Sequence, residues 1–208
     1  MEKLTNVVVE GDLSSAEAVA REAIKVELDP LMAIEEGLVP GISRVGKEFD
    51  RGDLYLTDLM LSAEVMKICM EVLLPEVARR GRKVKFRGRV ILGTVAGDIH
   101  SIGKEIVGTM LMVHGFEVTD LGVDVPDETF INKVKELKPN ILGLSALMTS
   151  TMNKQLDVIK ALKKAGLRDR VKVMVGGAAV TEDWAREIGA DAYGVDAVDA
   201  IKKAEEFV

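Results

Sequence analysis

The sequence predicts an α/β protein in which an N-terminal four-helix bundle precedes a doubly wound domain with a five-stranded parallel sheet. Three observations support this prediction. The chain has 208 residues, enough for two small domains. Apolar residues recur at helical spacing through the N-terminal part. From Arg89 onward, five short apolar segments alternate with amphipathic ones, as expected for a parallel sheet covered by helices on both faces.

Capping residues and helix breakers delimit the helices of the N-terminal part. Ser14 suits a helix N-cap, whereas Pro30 and Pro40 suit the first turn of a helix. Gly37 suits a helix end. We therefore predict helices over residues 14–28, 30–37 and 40–50, and a long fourth helix that begins near residue 57.

The remaining chain contains five strand-loop-helix units. Five such units most often form a flavodoxin-like domain, in which ligands bind beyond the carboxyl ends of the strands. The strands are predicted at residues 90–95, 116–121, 141–145, 171–175 and 192–195, and the helices at 102–114, 127–137, 152–165, 182–188 and 197–207.

A basic, glycine-flanked segment separates the two parts. Residues 81–88 are polar and suit an exposed linker better than a packed element. We place the domains at residues 1–83 and 84–208.

Composition excludes several classes of function. The chain has 28 Lys and Arg against 34 Asp and Glu, a net charge of -6, and no basic block interleaved with aromatic residues, so nucleic acid is disfavoured as a partner. The single cysteine, Cys69, precludes an internal disulfide bond. Neither a secretory signal nor a membrane-spanning run is evident. We expect a soluble cytoplasmic protein with no membrane role.

The loop after the first strand carries the clearest chemical signal. Residues 97–103 read G-D-I-H-S-I-G and contain one of only two histidines in the chain. Alternation turns Asp98 and His100 to the same side, so the carboxylate can hold one imidazole nitrogen while the other serves as a base or a metal ligand. Alone, this pattern is weak, because a histidine in a surface loop is commonly a turn residue.

Other loop signatures are absent. The segment is neither a Rossmann G-x-G-x-x-G nor a P-loop. The third strand ends G-L-S-A-L, without the aspartate of a phosphoacceptor receiver domain. Two histidines and one cysteine do not readily make a zinc or copper site. If His100 binds a metal, a cofactor such as a tetrapyrrole-like macrocycle must supply the other ligands.

Small residues end the third and fourth strands. Ser145, Gly176 and Gly177 leave space between strands and helices for a slender group, although small residues also allow close helix packing.

Together these loops resemble the cobalamin-binding signature D-x-H-x-x-G, S-x-L and G-G. Between its three parts, 41 residues separate Gly103 from Ser145 and 28 separate Leu147 from Gly176. In this family, the cofactor's dimethylbenzimidazole arm leaves cobalt and enters the protein, and the motif histidine replaces it as the lower ligand. The signature positions are Asp98, His100, Ser101, Ile102, Gly103, Ser145, Leu147, Gly176 and Gly177.

The resemblance implies a role for each position. His100 would be the lower cobalt ligand and Asp98 its hydrogen-bond partner, while Ser145, Leu147, Gly176 and Gly177 would line the tunnel for the tail. Thr149 would lie near the tail and Thr151 near the ligand pair. Thr151 stands where methionine synthase has serine and keeps the hydroxyl.

The helical part resembles the cap domain of methionine synthase and of the methanol and methylamine corrinoid proteins, most closely over residues 45–56. By that match Phe49 and Leu56 would cover the upper face of the corrin, with Leu59 and Met60 close by. Thr57 stands where the family usually has proline.

The resemblance implies a corrinoid methyl carrier. The cobalt of bound cobalamin, or of a related corrinoid, would accept a methyl group from a substrate-specific methyltransferase and donate it to a second one, with coenzyme M or tetrahydrofolate as acceptor. A reductive activase would be a further partner. The chain would then be a non-catalytic subunit of a methyltransferase system. A cobalamin sensor or storage protein is the alternative, and the small subunit of a cobalamin-dependent mutase is a third hypothesis.

Overall fold

The computed structural model describes residues 1–208, which form two compact units. One unit contains residues 1–86 and 112–115, and the other contains residues 87–111 and 116–208. The chain first passes from one unit to the other between Phe86 and Arg87, within the predicted linker at residues 81–88. None of the helices is both long and apolar enough to cross a membrane.

Four helical segments build the first unit. Asp12 and Asp29 cap the second and third of them by accepting hydrogen bonds from the backbone amides that follow. The segments are α1 (Glu2–Val9), α2 (Leu13–Lys25), a continuous run of α3 (Pro30–Met32), a π-helix (Ala33–Leu38) and α4 (Val39–Asp50), and finally α5 (Leu56–Arg79).

The four segments differ from the four predicted helices. No helix is predicted before Ser14, whereas α1 lies there. Gly37 and Pro40 do not separate two helices, because the π-helix leads directly into α4. A Cβ on Gly37 would lie 3.0 Å from Cβ of Leu4, so this glycine allows close packing against α1. Pro40 falls in the first turn of α4, where the regular hydrogen-bond ladder is already interrupted.

The second unit is a five-stranded parallel sheet with the order β2-β1-β3-β4-β5, which confirms the predicted fold class. The order reverses between β1 and β3, so the loops after these two strands diverge and open a crevice. The elements are β1 (Arg89–Thr94), α6 (Ile102–Val113), β2 (Glu117–Asp120), α7 (Asp127–Leu137), β3 (Ile141–Ser145), α8 (Thr149–Lys164), a 3-10 helix (Arg168–Arg170), β4 (Lys172–Gly176), α9 (Glu182–Ile188), β5 (Ala192–Tyr193) and α10 (Ala197–Glu206).

Strand register assigns side chains to the two faces of this sheet. Leu92, Gly143 and Met174 are register partners on β1, β3 and β4 and form a row on one face. The next row on that face, nearer the carboxyl edge, consists of Thr94, Ser145 and Gly176. The opposite face carries large apolar side chains that pack with α7, α8 and α9 in one buried core. Because each of these two rows includes small residues, the sheet leaves space on that face, whereas the opposite face is filled.

Candidate functional site

Asp98 and His100 form a hydrogen-bonded pair in the loop after β1. Nδ1 of His100 lies 2.7 Å from Oδ1 of Asp98, and the backbone amide of His100 donates to the same oxygen at 3.1 Å. Asp98 is fully buried, whereas 47% of the His100 side chain is exposed. Because a carboxylate accepts hydrogen bonds, this contact places the imidazole proton on Nδ1 and leaves the lone pair of Nε2 available.

The second oxygen of Asp98 binds the segment that follows β3. Oδ2 accepts hydrogen bonds from the Leu147 amide at 2.8 Å, the Met148 amide at 3.4 Å and the Thr151 hydroxyl at 2.7 Å. These donors surround the N-terminus of α8, whose N-cap residue provides no side-chain hydrogen bond of its own. Asp98 therefore caps α8 from another loop, where the positive end of the helix dipole favours a carboxylate.

These contacts keep Asp98 ionised. Burial alone would raise the pKa of Asp98, but hydrogen bonds from the Thr151 hydroxyl and from His100 outweigh burial and hold the pKa well below its usual range. The carboxylate thus remains a hydrogen-bond acceptor for the imidazole at neutral pH.

Two further residues fix the backbone of this loop. Buried Thr94 donates its hydroxyl to the carbonyl of His100 at 2.9 Å. Asp124 adopts a left-handed conformation, with φ of 51°, that is strained for a residue other than glycine. Its amide donates to the Asp98 carbonyl at 2.9 Å, and its carboxylate accepts from the Gly97 amide at 2.6 Å. The histidine is therefore anchored through its carbonyl, its amide and its ring.

A cavity of about 510 Å³ opens beside His100, on the face of the sheet that carries the rows of Gly143 and Ser145. It runs between residues of α6 and α10 and is lined largely by apolar side chains. Of the predicted site residues, the cavity lining includes His100, Gly103, Ser145, Leu147, Gly176 and Gly177.

The two consecutive glycines after β4 meet different constraints. Gly177 has φ of +124°, and a Cβ on it would lie 1.9 Å from the carbonyl oxygen of Ala146, so only glycine fits. A Cβ on Gly176 would meet only the carbonyl oxygen of Gly194, at 3.4 Å, and would otherwise enter open space. Gly177 thus preserves the backbone, whereas Gly176 preserves the cavity.

Other predicted residues lie outside the cavity lining. Thr151 is buried and contacts Asp98, as described above. Thr149 is exposed in the first turn of α8, Ser101 is half-buried immediately before α6, and Ile102 is 76% exposed. The assignment of Thr149 to the tail, and of Ser101 and Ile102 to the cofactor, stays a prediction.

The predicted residues of the helical unit lie at the end of α4 and the start of α5. Phe49 and Leu56 are half-buried, Leu59 is 1% exposed and belongs to the core of its unit, and Met60 is 37% exposed. Their assignment to the upper face of a corrin remains a prediction.

Several residues that line the cavity or support it were not predicted from the sequence. Among these are Leu92, Lys104, Val107, Gly143, Met174 and Ala200 in the lining, and Gln155 behind it. Sheet register is the signal that could have identified Leu92, Gly143 and Met174, because residues two positions before Thr94, Ser145 and Gly176 share their face.

The donor set at this site is a single imidazole nitrogen. No group of three or more His, Cys, Asp or Glu side chains is placed to hold a metal ion. A metal bound at His100 would therefore take its remaining ligands from a cofactor, and a macrocycle that presents four equatorial nitrogens meets that requirement.

Family models match both parts of the chain. Residues 88–202 match the family model described as a B12 binding domain, and residues 1–74 match a second model with the same description. Trimethylamine corrinoid protein 1 of Methanosarcina acetivorans is 48% identical over 201 residues, which cover 97% of this chain and 93% of that protein. Dimethylamine corrinoid protein 2 of the same organism is 48% identical and covers 91% of this chain and 87% of that protein.

Solved structures show the same similarity. A chain in the methanol:cobalamin methyltransferase complex from Methanosarcina barkeri matches with a TM-score of 0.85 and 32% identity, over 98% of this chain and 77% of that one. The monomethylamine corrinoid protein of Methanosarcina barkeri matches with a TM-score of 0.57 and 37% identity, over 100% of this chain and 97% of that one.

Proposed function

This chain belongs to the family of B12-binding corrinoid proteins, and we propose that it carries methyl groups between two methyltransferases on bound cobalamin or a related corrinoid. The observation that carries the proposal is the state of His100. Its Nδ1 is held by an ionised, buried Asp98, and its Nε2 is available beside a cavity of about 510 Å³. When bound, the corrinoid supplies a cobalt ion that can accept a methyl group and release it.

The residues fit such a cofactor. One protein nitrogen is sufficient because the corrin ring supplies the equatorial ligands. The apolar cavity suits the benzimidazole part of the tail, and its opening beside His100 suits a tail that has left the metal. Gly176 and Ser145 keep the entrance open because neither carries a large side chain.

The protein's own groups hold and orient the imidazole of His100. Asp98 fixes the tautomer and the rotation of the imidazole, as carboxylates commonly do behind a ligating histidine. Thr151 keeps Asp98 ionised by donating its hydroxyl. Thr94 and Asp124 hold the loop backbone, so the imidazole does not need to be ordered when the cofactor arrives.

The partners follow from the relatives. We propose a substrate-specific methyltransferase as donor, a second methyltransferase that delivers to coenzyme M or tetrahydrofolate, and a reductive activase. Methylated amines are the first class of methyl donor to test, since two relatives described above are named for trimethylamine and dimethylamine. None of the relatives described above is named as a sensor or a storage protein, so the carrier role is the one we propose.

Corrinoid uptake tests this proposal. The apoprotein is incubated with hydroxocobalamin, passed through a gel-filtration column, and its visible spectrum is recorded at neutral and mildly acidic pH. We expect one corrinoid per chain, with a spectrum that shows no release of benzimidazole on acidification because histidine already occupies the lower position. A colourless protein after the column would overturn the proposal.

The variant His100→Ala distinguishes the contribution of the metal ligand from that of the cavity. This variant should retain part of the corrinoid through the tail but show the spectrum of a cobalt without a nitrogen ligand. His114→Ala, which changes the other histidine outside the cavity lining, is the control and should match the unmodified protein. Identical spectra for the two variants would contradict the role of His100. Methyl transfer from trimethylamine, assayed with a purified methylamine methyltransferase, then tests the carrier role itself.

A further inference from the structure

Leu92 is seated between two glycines in the wall of the cavity. A Cβ built on Gly143, its register partner on β3, would lie 2.5 Å from Cδ2 of Leu92. A Cβ built on Gly108 of α6 would lie 3.1 Å from Cδ1 of the same side chain. The Leu92 side chain, of which 3% is exposed, therefore occupies the space that both glycines leave free.

The position of Leu92 limits the width of the cavity. Leu92 and Gly143 both belong to the lining, on the row of the sheet that lies one step below Ser145. A side chain at Gly143 would displace the flexible end of Leu92. The strand and α6 occupy two of its sides, so the displaced methyl groups would move into the cavity. The two glycines thus keep the cavity wide because they leave room for the Leu92 side chain, although they form little of the lining themselves.

We propose that Gly143 and Gly108 are positioning residues that seat Leu92 in the wall and thereby determine whether the protein admits corrinoids that carry a nucleotide tail. This inference rests on the proposed function, because it names the part of the cofactor that the cavity selects. The position of Leu92 does not affect His100 or the corrin ring. The affinity for a corrinoid without a tail should therefore not depend on Leu92.

Binding of two corrinoids measures this effect. Cobalamin has the tail, and cobinamide lacks it. Dissociation constants for both are measured with the full-length apoprotein and with Gly143→Ala. We expect the variant to bind cobalamin about tenfold more weakly, the scale of one surplus methyl group in a packed site, and cobinamide within about twofold of the unmodified protein.

A compensating variant tests whether Leu92 transmits the effect. Leu92→Val removes the Cδ atoms that a Cβ at position 143 would strike, so the double variant Leu92→Val/Gly143→Ala moves one methyl group and conserves volume. Cobalamin affinity should return to within about threefold of the original. Val173→Ile is the matched control, since it adds one methyl group on the opposite face of the neighbouring strand and should leave both affinities unchanged.

The outcomes are distinguishable. If the unmodified protein retains neither corrinoid, the proposed function fails and this inference fails with it. Unchanged cobalamin binding by Gly143→Ala, or equal losses for both corrinoids, overturns this inference alone. A double variant that stays as weak as the single one also overturns it. Should Gly143→Ala fold poorly, Gly108→Ala applies the same test from α6, where alanine favours the helix, and a smaller loss of cobalamin affinity is expected.

Discussion

The backbone amide of Leu147 donates a 2.8 Å hydrogen bond to Oδ2 of Asp98, which joins the loop after β3 to the loop after β1. The other oxygen of the same carboxylate binds the His100 ring. One buried side chain therefore orients the candidate metal ligand and connects the two loops between which the strand order reverses. Stability and ligand geometry are coupled through Asp98.

Replacing Asp98 with asparagine should destabilise the apoprotein. Both carboxylate oxygens accept hydrogen bonds, so the amide nitrogen of Asn would face an N–H or O–H donor in either orientation. We expect the free energy of unfolding to fall by about 2 to 3 kcal/mol, measured by urea denaturation. Asp53→Asn is the control, because the exposed pair of Asp53 with Arg51 contributes less than about 1 kcal/mol. Equal losses in the two variants would contradict this account.

Asp98 also predicts a pH dependence of stability. Its pKa is lower in the folded protein than the ordinary value of 3.8, so the unfolded chain binds a proton more readily. Its contribution to stability is therefore complete above about pH 4 and is lost as the pH falls further, towards the depressed pKa of the folded state. Urea denaturation of the apoprotein and of Asp98→Asn between pH 3 and 7 isolates this contribution, because other carboxylates affect both proteins alike. The stability difference between them should shrink only at the acidic end of this range, and a constant difference would show that Asp98 does not titrate as described.

The two glycines after β4 should respond differently to alanine. Gly177→Ala forces a Cβ into the Ala146 carbonyl at a φ that disfavours side chains, and we expect a loss of about 2 to 3 kcal/mol in apoprotein stability. Gly176→Ala should change stability by less than about 1 kcal/mol, because its Cβ makes only an ordinary contact.

Cobalamin uptake should follow the size of the side chain at position 176. Gly176→Val is expected to block uptake, since the side chain enters the cavity while the fold is retained. Uptake is measured by retention of colour after gel filtration, and circular dichroism checks the fold. A folded Gly176→Val protein that retains cobalamin fully would refute the placement of the tail in this cavity.

Gln155 should be important for the strands that frame the cavity, although it lies behind them. Its Nε2 donates to the carbonyls of Leu144 at 3.0 Å and Gly176 at 3.2 Å, and its Oε1 accepts from Nε1 of Trp184 at 3.0 Å. Gln155→Leu leaves these buried groups without their partner, and we expect a loss of about 2 to 4 kcal/mol. Because Trp184 is the only tryptophan, its fluorescence should also change. Trp184→Phe, which removes the indole donor and part of the ring but keeps the two hydrogen bonds that Gln155 donates, should cost less, and the reverse order would contradict this assignment.

The fold class could be predicted because strand and helix periodicities are strong in the second unit. Helix α1 was not predicted, because its N-cap, Met1, makes no side-chain capping bond. The prediction also split the run from α3 to α4 at Gly37, since a glycine selected for contact with Leu4 has the same letter as one that ends a helix.

The hydrogen bonds of the candidate site were predicted only where side chains meet side chains. The spacing of Asp98 and His100 in the sequence anticipated their contact, and the signature placed Thr151 near them. Asp124 and Gln155 were missed because most of their partners are backbone amides and carbonyls, which every residue provides. The assignment of Thr149 to the tail stays a prediction, since Thr149 is exposed and lies outside the cavity lining.

The sequence separation between Asp98 and its hydrogen-bond donors has a consequence for the synthesis of the protein. The donors that hold its second oxygen lie 49 to 53 positions later in the chain. During synthesis, the candidate ligand His100 is therefore joined to the chain before the amides and the hydroxyl that fix Asp98. The orientation of His100 by a fixed Asp98 can therefore be complete only after β3 and the first turn of α8 have been synthesised.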